Sequence, residues 1–294
     1  MQAASRGLDG HYYFVPIYNY PWAVFYRKSV FTEKGYTVPK TWDQFIALAK
    51  KMKADGVPVG FTDKDGWPAM GTFDYLNMRT NGYDFHVRLM AGKESWDSAQ
   101  VKAVFNHWRE LLPYYNDGAL GKTWQEGAAD LQNKKVGMFL LGTFVGSAYT
   151  DKAAHAQLDF FPFPQINPKW GQDSVEAPID GFLMSRKAKN VDEAKKLLAF
   201  LGSPIAGETR LRDDQNLVAT NKRASTARYN ALQKKAVKLI AAAKHISQYM
   251  DRDTRPDFAS TVMIPALQQF LNKPDDVNGL VKNIERQKKA IFGT

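Results

Sequence analysis

The sequence predicts an α/β protein that ends in a layer of helices. Short apolar segments bounded by Gly or Pro alternate with amphipathic helical segments over the first two thirds of the 294 residues. Helical periodicity dominates the remainder. The hydrophobic fraction of 44% is enough for a substantial core, and the 24% charged fraction is typical of a folded chain. The length suits one large or two ordinary domains.

The first predicted elements are two aromatic strands and a capped helix. Residues 11–18 (HYYFVPIY) are aromatic and β-branched with an internal Pro, a pattern that favours an edge strand. Residues 22–28 (WAVFYRK) predict a second strand. Residues 41–55 predict a helix, because Thr41 and Gln44 have the spacing of a capping box and apolar residues recur at helical intervals.

The later elements follow the same two periodicities. Further strands are predicted at 58–61, 136–141, 158–163 and 178–185. Further helices are predicted at 67–90, 98–112, 123–133, 191–201, 227–244, 258–271 and 276–291, with another beginning within 145–149. Residues 165–176 are predicted to be a polar loop. In helix 191–201 the apolar positions Ala194, Leu197, Leu198 and Leu201 are expected to face inward.

Composition excludes several classes of function. The chain has no cysteine, so it has no disulfide, thiolate metal site or Cys nucleophile. The five histidines lack the spacing of zinc ligands, and no P-loop, G-x-S-x-G or G-x-G-x-x-G motif occurs. No apolar run is long enough to span a membrane. We therefore expect no catalytic residues, no metal and no cofactor.

The net charge of +10 does not predict a nucleic-acid partner. A nucleic-acid footprint needs Lys and Arg gathered on one face, whereas here the basic residues are spread over the polar faces of several predicted helices. Solvated helix faces explain them. A basic surface can still attract an anionic membrane or polymer over a long range.

Residues 15–61 carry a family resemblance. The run VPIYNYPWAVFYRKSVFTEKGYTVPKTWDQFIALAKKMKADGVPVGF resembles the central segment of family 1 extracellular solute-binding proteins, the maltose-binding-protein-like receptors of ABC sugar importers. Three further stretches fit in the same order: KDGWPAMGTFDYLNMRTNGYDFH, LQNKKVGMFLLGTFVGS and VEAPIDGFLMSRKAKNVDEAKKLLAFLGSP. The resemblance extends from about residue 8 to the end of the chain.

The resemblance implies a two-lobed periplasmic-binding-protein fold of type II. Residues 1–19 and 178–228 would form a remnant of the first lobe, and 20–177 with 229–294 would form the second lobe. We expect the βα units that open other members to be missing, with apolar surface exposed where they would pack. The N-terminus, MQAASRGLDGHYYF, also lacks the pattern of a signal peptide.

The resemblance also implies a function without chemistry. The expected role is to capture a mono- or oligosaccharide between the lobes, to close about the crossing strands, and to deliver the sugar to the transmembrane subunits of an ABC permease. The expected location is periplasmic or extracellular, with membrane association only through the partner or through a lipid anchor outside this sequence. We expect a monomer that binds a small carbohydrate and no nucleic acid.

Aromatic residues outside helical core positions are the first candidates for sugar contact, because flat rings cover the C–H faces of a pyranose. Tyr18, Tyr20 and Trp22 lie at the first crossing, where packing against the hinge is the alternative. Trp67 lies in a D-G-W-P turn, either as a stacking platform or as a loop anchor. Phe144 follows Gly142 at a strand-to-helix turn, where ligands of α/β sheets bind.

Charged residues near predicted element ends are the second group of candidates. Asp180 interrupts an apolar strand, so its carboxylate needs a partner, either a sugar hydroxyl or a backbone amide. Arg255, Asp257 and Phe258 precede a predicted helix. Together they resemble the last ligand loop of the family, although Asp257 alone would suit an N-cap.

Two other classes of function remain open from sequence. A carbohydrate-active enzyme would need two carboxylates across a cleft, and the close pairs Asp63/Asp65 and Asp251/Asp253 are better explained by turns. A sugar-sensing module for a chemoreceptor or a sensor kinase would share every feature of a transport receptor.

Overall fold

Two sheets and a strand pair form the framework of the protein, whose computed structural model describes residues 5–7 and 9–293. The strands of this part of the chain are β1 (Val15–Asn19), β2 (Trp22–Arg27), β3 (Val59–Gly60), β4 (Met138–Gly142), β5 (Leu158–Phe161), β6 (Ser174–Glu176), β7 (Ile179–Phe182), β8 (Val218–Ala219) and β9 (His245–Ser247). The four-stranded sheet has the order β3-β4-β2-β5, the three-stranded sheet β7-β1-β8, and β6 pairs with β9. The mixed α/β class predicted from the sequence is confirmed.

Helices cover these sheets and dominate the C-terminal third. They are α1 (Lys28–Lys34), α2 (Trp42–Ala54), α3 (Pro68–Asn81), α4 (Tyr83–Met90), α5 (Ala99–Leu111), α6 (Trp124–Gln132), α7 (Lys152–His155), α8 (Val191–Leu201), α9 (Pro204–Asp213), α10 (Ala231–Ala242), α11 (Met250–Asp253), α12 (Pro256–Phe258), α13 (Ile264–Asn272) and α14 (Val277–Phe292). No helix of the described residues has the length and apolar character to cross a bilayer.

The four-stranded sheet lies at the centre of the core. Strand β2 is central and antiparallel to both β4 and β5, while the short β3 runs parallel to β4. The residues of β2 from Trp22 to Tyr26 are all buried. A strand buried on both faces needs no alternation of apolar and polar residues. Helix α3 packs under this sheet and is buried over most of its length.

The three-stranded sheet is joined to the central sheet by a very short crossing. Strand β1 pairs antiparallel with β7 and β8, and Tyr18 lies opposite Asp180. Only Tyr20 and Pro21 separate the end of β1 from the start of β2. Residues in this crossing are therefore held between the two sheets.

The capping box predicted at Thr41 and Gln44 is present, and a second capping box begins α6. The side chain of Thr41 accepts from the backbone N–H of Gln44, and the same reciprocal arrangement joins Thr123 and Glu126 at the start of α6. Each box satisfies two N–H groups that the first helical turn leaves without a partner. These helices begin where the sequence predicts.

Two long helices predicted from periodicity are interrupted. The helix expected at 67–90 divides into α3 and α4 at Gly82, whose φ of 88° is unfavourable for other residues. A Cβ there would also approach the Trp170 ring to 2.7 Å. The helix expected at 258–271 begins earlier, as α12, and continues through a π-helical segment (Ala259–Met263) into α13.

Other elements differ in their bounds or were not predicted. The strand expected at 11–18 begins only at Val15, and the predicted loop 165–176 ends in strand β6. Helices α1 and α9 have no counterpart among the predicted elements. Residues 1–4, which belong to the predicted segment 1–19, lie outside the described part of the chain, as do Leu8 and Thr294.

The apolar face of α8 is only partly covered: Ala194, Leu198 and Leu201 are half-buried, whereas Leu197 is exposed and departs from the predicted inward direction. Helix α8 contains no buried residue, and Leu197 and Phe200 are 56% and 55% exposed. Leu183 and Ile205 beside it are 68% and 70% exposed. Amphipathic periodicity identified the helix correctly, but periodicity does not tell whether a neighbouring element covers the apolar side.

Candidate functional site

A cavity of about 390 Å³ lies where the two sheets meet. The crossing between β1 and β2 and the end of β7 form one side, and the N-terminal end of α3 and the turn after β4 form the other. Its lining includes six of the nine residues that the sequence predicts for the site: Tyr18, Tyr20, Trp22, Trp67, Phe144 and Asp180. These residues come from four separate stretches of sequence and are brought together by the fold.

Aromatic rings form most of the cavity wall. The ring centroid of Trp22 lies 6.0 Å from Trp67 and 5.0 Å from Tyr249. Phe144 lies 5.5 Å from Tyr20 and 4.9 Å from Trp124, in both cases edge to face. These spacings are those of mutually packed aromatic side chains, so the rings form one continuous apolar surface.

Helix α3 fixes the position of the tryptophans. A Cβ on Gly71 would come within 2.6 Å of the Trp22 ring, so the absence of a side chain there admits the indole. The hydroxyl of Tyr75 donates to the carbonyl of Trp22 at 2.6 Å. The hydroxyl of Tyr249 donates to the carbonyl of Trp67 at 2.6 Å and accepts from the N–H of Gly71 at 3.1 Å.

A charged network joins the crossing to the segment around 250. Arg252 pairs with Asp180 at 2.8 Å and donates to the hydroxyl of Tyr20 at 2.9 Å. It also donates to the carbonyl of Ile179 at 3.1 Å. The guanidinium fork can make these bonds together and hold its acceptors in fixed positions. Asp180 thus has a partner that neither of the sequence-based alternatives included.

Burial and neighbouring charges shift the pKa values of Tyr20, Arg252 and Asp251. Burial raises the pKa of the Tyr20 hydroxyl, with a smaller contribution from Asp180, so this group stays protonated at neutral pH. Burial lowers the pKa of Arg252, but Tyr20 and Asp180 outweigh that effect and the net direction is upward. Burial also raises the pKa of Asp251, the next residue along this segment.

The lining includes further side chains that sequence reasoning did not select: Trp124, Arg210, Asp214, Leu217, Tyr249, Asp251 and Arg252. The Arg210 guanidinium lies 4.5 Å from the centre of the Tyr18 ring. Arg210 and Asp214 belong to α9 and the residue after it, an element that was not predicted. The cavity therefore combines ring faces with acidic and basic groups.

Arg255, Asp257 and Phe258 do not line this cavity, and the structure corrects the predicted site at these positions. Arg255 and Asp257 pair with each other at 2.7 Å on the surface, where each side chain is 51% exposed. Phe258 is buried against Trp96. The N-cap of α12 is Arg255, so Asp257 does not have that predicted role either.

The residues that contribute from this region lie three to nine positions earlier. Tyr249, Asp251 and Arg252 belong to the stretch QYMDRDTR, in which a single helical turn, α11, aims the charged residues inward. The sequence signal that could have identified these site residues is a tyrosine followed by alternating acidic and basic residues. Turn chemistry explained the acidic residues equally well from sequence alone.

A larger cavity, of about 830 Å³, lies on the opposite face of the same strands. Its lining includes Asn19, Ile179 and Asp253, which are sequence neighbours of residues in the first cavity. Aliphatic side chains of α10, such as Val237 and Ile240, form much of the rest. This cavity lacks the ring cluster, so the first cavity is the candidate binding site.

The described residues contain no group of three or more His, Asp or Glu side chains that could hold a metal ion. Among the histidines, burial lowers the pKa of His86 to about 4, so its imidazole is neutral at pH 7. It bonds to the side chain of Asn77 at 3.1 Å, within the core. The chemistry that this cavity offers is binding through rings and charged groups.

Comparison with known proteins identifies the family. Residues 2–208 match the family described as bacterial extracellular solute-binding proteins. An uncharacterized ABC transporter extracellular-binding protein of Pyrococcus horikoshii is 27% identical over 240 residues, which are 80% of this chain and 53% of that protein. The multiple sugar-binding protein of Streptococcus mutans is 24% identical over 226 residues, 69% of this chain and 53% of that protein.

The structure is also similar to a solved receptor. The bacterial solute receptor AcbH, described as having an exclusive preference for β-D-galactopyranose, is 48% identical with a TM-score of 0.96. That alignment covers 99% of this chain and 75% of AcbH. The chain thus spans three quarters of AcbH and about half the length of the curated relatives above.

Proposed function

We propose that this chain, which belongs to the family of bacterial extracellular solute-binding proteins, captures a carbohydrate for an ABC importer. The observation that carries this proposal is the cavity walled by aromatic rings and edged by charged groups. The protein would hold the sugar in that cavity, release it to a membrane permease, and leave it chemically unchanged.

The cavity suits the two kinds of surface that a pyranose presents. Trp67 and Phe144 offer apolar faces for the C–H side of the ring. Asp180, Asp214 and Asp251 offer acceptors to hydroxyl groups, and Arg210 and Arg252 offer donors. A hydroxyl that finds no partner would cost about 1–3 kcal/mol, so such a site discriminates among sugars.

The ligand we favour is a single neutral hexopyranose. A volume of about 390 Å³ is near the lower end of ligand cavities, which begin at roughly 300 Å³. Three acidic and two basic residues line it, a formal charge of −1 that disfavours an anionic sugar. AcbH, which is 48% identical to this chain over the aligned region, is described as preferring β-D-galactopyranose.

We propose two lobes that close around the sugar. The first comprises residues 1–19 and 178–228, and the second 20–177 and 229–294. In support, the three-stranded sheet falls in the first set and the four-stranded sheet in the second. Closure would bend the chain near 15–20 and 178–184, because the crossing between the two sheets is shortest there.

The partners we propose follow from the family. The loaded form would be recognised by the transmembrane subunits of an ABC permease, and any association with the membrane would come through that partner or a lipid anchor. An enzymatic role is disfavoured because the carboxylate of Asp180 is already engaged by Arg252.

Isothermal titration of the 294-residue chain with D-galactose, D-glucose, raffinose and D-galacturonate tests this proposal. We expect D-galactose to bind with a Kd in the micromolar range or tighter, a free energy of about −8 kcal/mol. Product analysis after prolonged incubation with raffinose should show no cleavage. Absence of heat with every neutral sugar, or appearance of released galactose, would contradict the proposal.

A further inference from the structure

Two buried carboxyl groups lie behind the aromatic wall of the cavity. Asp74 lies on α3, seven residues after Trp67, and Glu176 ends β6, four residues before Asp180. Both side chains are 0% exposed. Apart from the backbone N–H of Met250 near Asp74, their carboxyl oxygens have no donor, and neither residue forms an ion pair with a described Lys, Arg or His.

A proton shared by the two carboxyl groups supplies the hydrogen-bond donor that their oxygens lack. The two carboxyl groups are close enough to form a hydrogen bond with each other once one of them is protonated. Two ionised carboxylates at such a distance would repel each other in a poorly solvated place. One proton supplies both the missing donor and the neutralisation, and the pair then titrates as a unit.

The surroundings favour the protonated form. Burial raises the pKa of both carboxyl groups well above the usual range. Asp74 raises the pKa of Glu176 further, and the nearby charges of Asp253 and Asp251 raise that of both groups. The titratable groups on the packed elements are Tyr75 and Arg79 on α3, Tyr249, Asp251, Arg252 and Asp253 around α11, and His245 on β9, and Arg252 is paired with Asp180. Arg79 donates to the main chain and hydroxyl of Ser174 instead of to the pair.

The pair touches the groups that hold the cavity in shape. The N–H of Glu176 donates to the hydroxyl of Tyr75, and that hydroxyl donates to the carbonyl of Trp22. The backbone at Tyr249 has a φ of 105°, so its conformation depends on its surroundings. A displacement of α3 from β6 would move Trp22 and Tyr249, both of which line the cavity.

We propose that Asp74 and Glu176 are positioning residues that share one proton. This proton joins helix α3, which forms one wall of the cavity, to strand β6 and so maintains sugar affinity. This inference rests on the proposed function, because affinity for a sugar is its readout. Loss of the proton at high pH leaves two carboxylates that repel, and α3 separates from β6.

The first test is infrared spectroscopy of the 294-residue chain near pH 7. The wild type should show the carbonyl band of protonated carboxyl groups, and the double variant Asp74→Asn/Glu176→Gln should lose the part of that band due to this pair while keeping the part due to Asp63. Identical spectra in this region would overturn the shared proton. This test needs no ligand, so it stands even if the chain binds no sugar.

The second test is the affinity for D-galactose between about pH 6 and about pH 9. Wild-type affinity should fall by about tenfold or more, while the double variant, whose amides do not titrate, should change by less than about threefold. If the double variant fails to fold, Glu176→Gln alone replaces it, since its amide can donate to Asp74 at any pH. Glu285→Gln, a nearly buried carboxyl beside Lys288 and away from the cavity, is the control and should retain the wild-type profile.

The outcomes separate the two proposals. Parallel pH profiles in the wild type and the double variant would overturn the positioning role of Asp74 and Glu176. A wild type that binds no neutral sugar at about pH 6 would instead overturn the proposed function, while the infrared comparison would still decide whether the pair holds a proton.

Discussion

The guanidinium of Arg252 donates a hydrogen bond of 2.9 Å to the hydroxyl of Tyr20, although 232 positions separate the two residues. The same side chain pairs with Asp180 at 2.8 Å. One arginine therefore connects the crossing from β1 to β2, the end of β7 and the segment around 250. Each of these stretches contributes to the wall of the cavity, so Arg252 is central to its geometry.

Replacement of Arg252 by Lys should weaken D-galactose binding by about tenfold or more. A lysine keeps the charge but has no planar fork, so it cannot hold Tyr20 and Asp180 together. Calorimetry measures the change. Arg255→Lys is the matched control, because Arg255 pairs with Asp257 outside the cavity, and equal losses in the two variants would count against this role.

Replacement of Trp67 by Ala should weaken sugar binding by about tenfold or more, since burying a large ring contributes roughly 1.5–3 kcal/mol. Intrinsic fluorescence or calorimetry gives the affinity, and circular dichroism shows that the fold is kept. Tyr12→Ala removes a ring that is 60% exposed and should have no effect. An unchanged affinity in Trp67→Ala would remove this residue from the site.

Replacement of Gly71 by Ala should lower both affinity and stability. The added methyl would come within 2.6 Å of the Trp22 ring and force the indole into the cavity. Overpacking of this kind costs about 1–3 kcal/mol, which urea unfolding can measure. Gly121→Ala is the control, because nothing lies within 4 Å of its added methyl; a Gly71 variant that behaves like it would contradict the close packing.

Replacement of Asp63 by Asn should remove a pH dependence of stability. Burial raises the pKa of Asp63 to about 7 from an ordinary value of 3.8. The folded state therefore binds the proton more tightly than the unfolded state. Its stabilising contribution is complete below about pH 4 and is lost as the pH rises through about 7.

The shift of about three units sets an upper limit of roughly 4 kcal/mol on this loss. Urea unfolding at several pH values should show the wild type losing stability between about pH 5 and about pH 8, and Asp63→Asn losing much less. Asp117→Asn alters a fully exposed carboxylate and should follow the wild type. Parallel curves for all three proteins would show that Asp63 is not the group responsible.

The elements that sequence predicted well are those with strong local signals. Thr41 and Glu126 mark helix starts because capping needs only neighbouring residues. The long helix expected at 67–90 failed at Gly82, where tertiary contact with Trp170 decides the backbone. Periodicity similarly found α8 but not that its apolar face is only partly covered.

Site residues could be predicted from sequence where the residue type was unusual for its own secondary-structure element. Trp67 in a turn and Asp180 in an apolar strand both drew attention and both line the cavity. Arg210 and Asp214 carry no such anomaly, because charged residues on a helix are ordinary. Arg252 contributes only because a single helical turn aims it inward, and local sequence does not specify that direction.

The most direct test of the central claim is a crystal structure of the chain grown with D-galactose. We predict density for one pyranose against the rings of Trp67 and Phe144, with hydroxyl groups bonded to Asp180 or Arg252. Density for the sugar elsewhere, with this cavity holding only water, would contradict the claim that the cavity is the binding site.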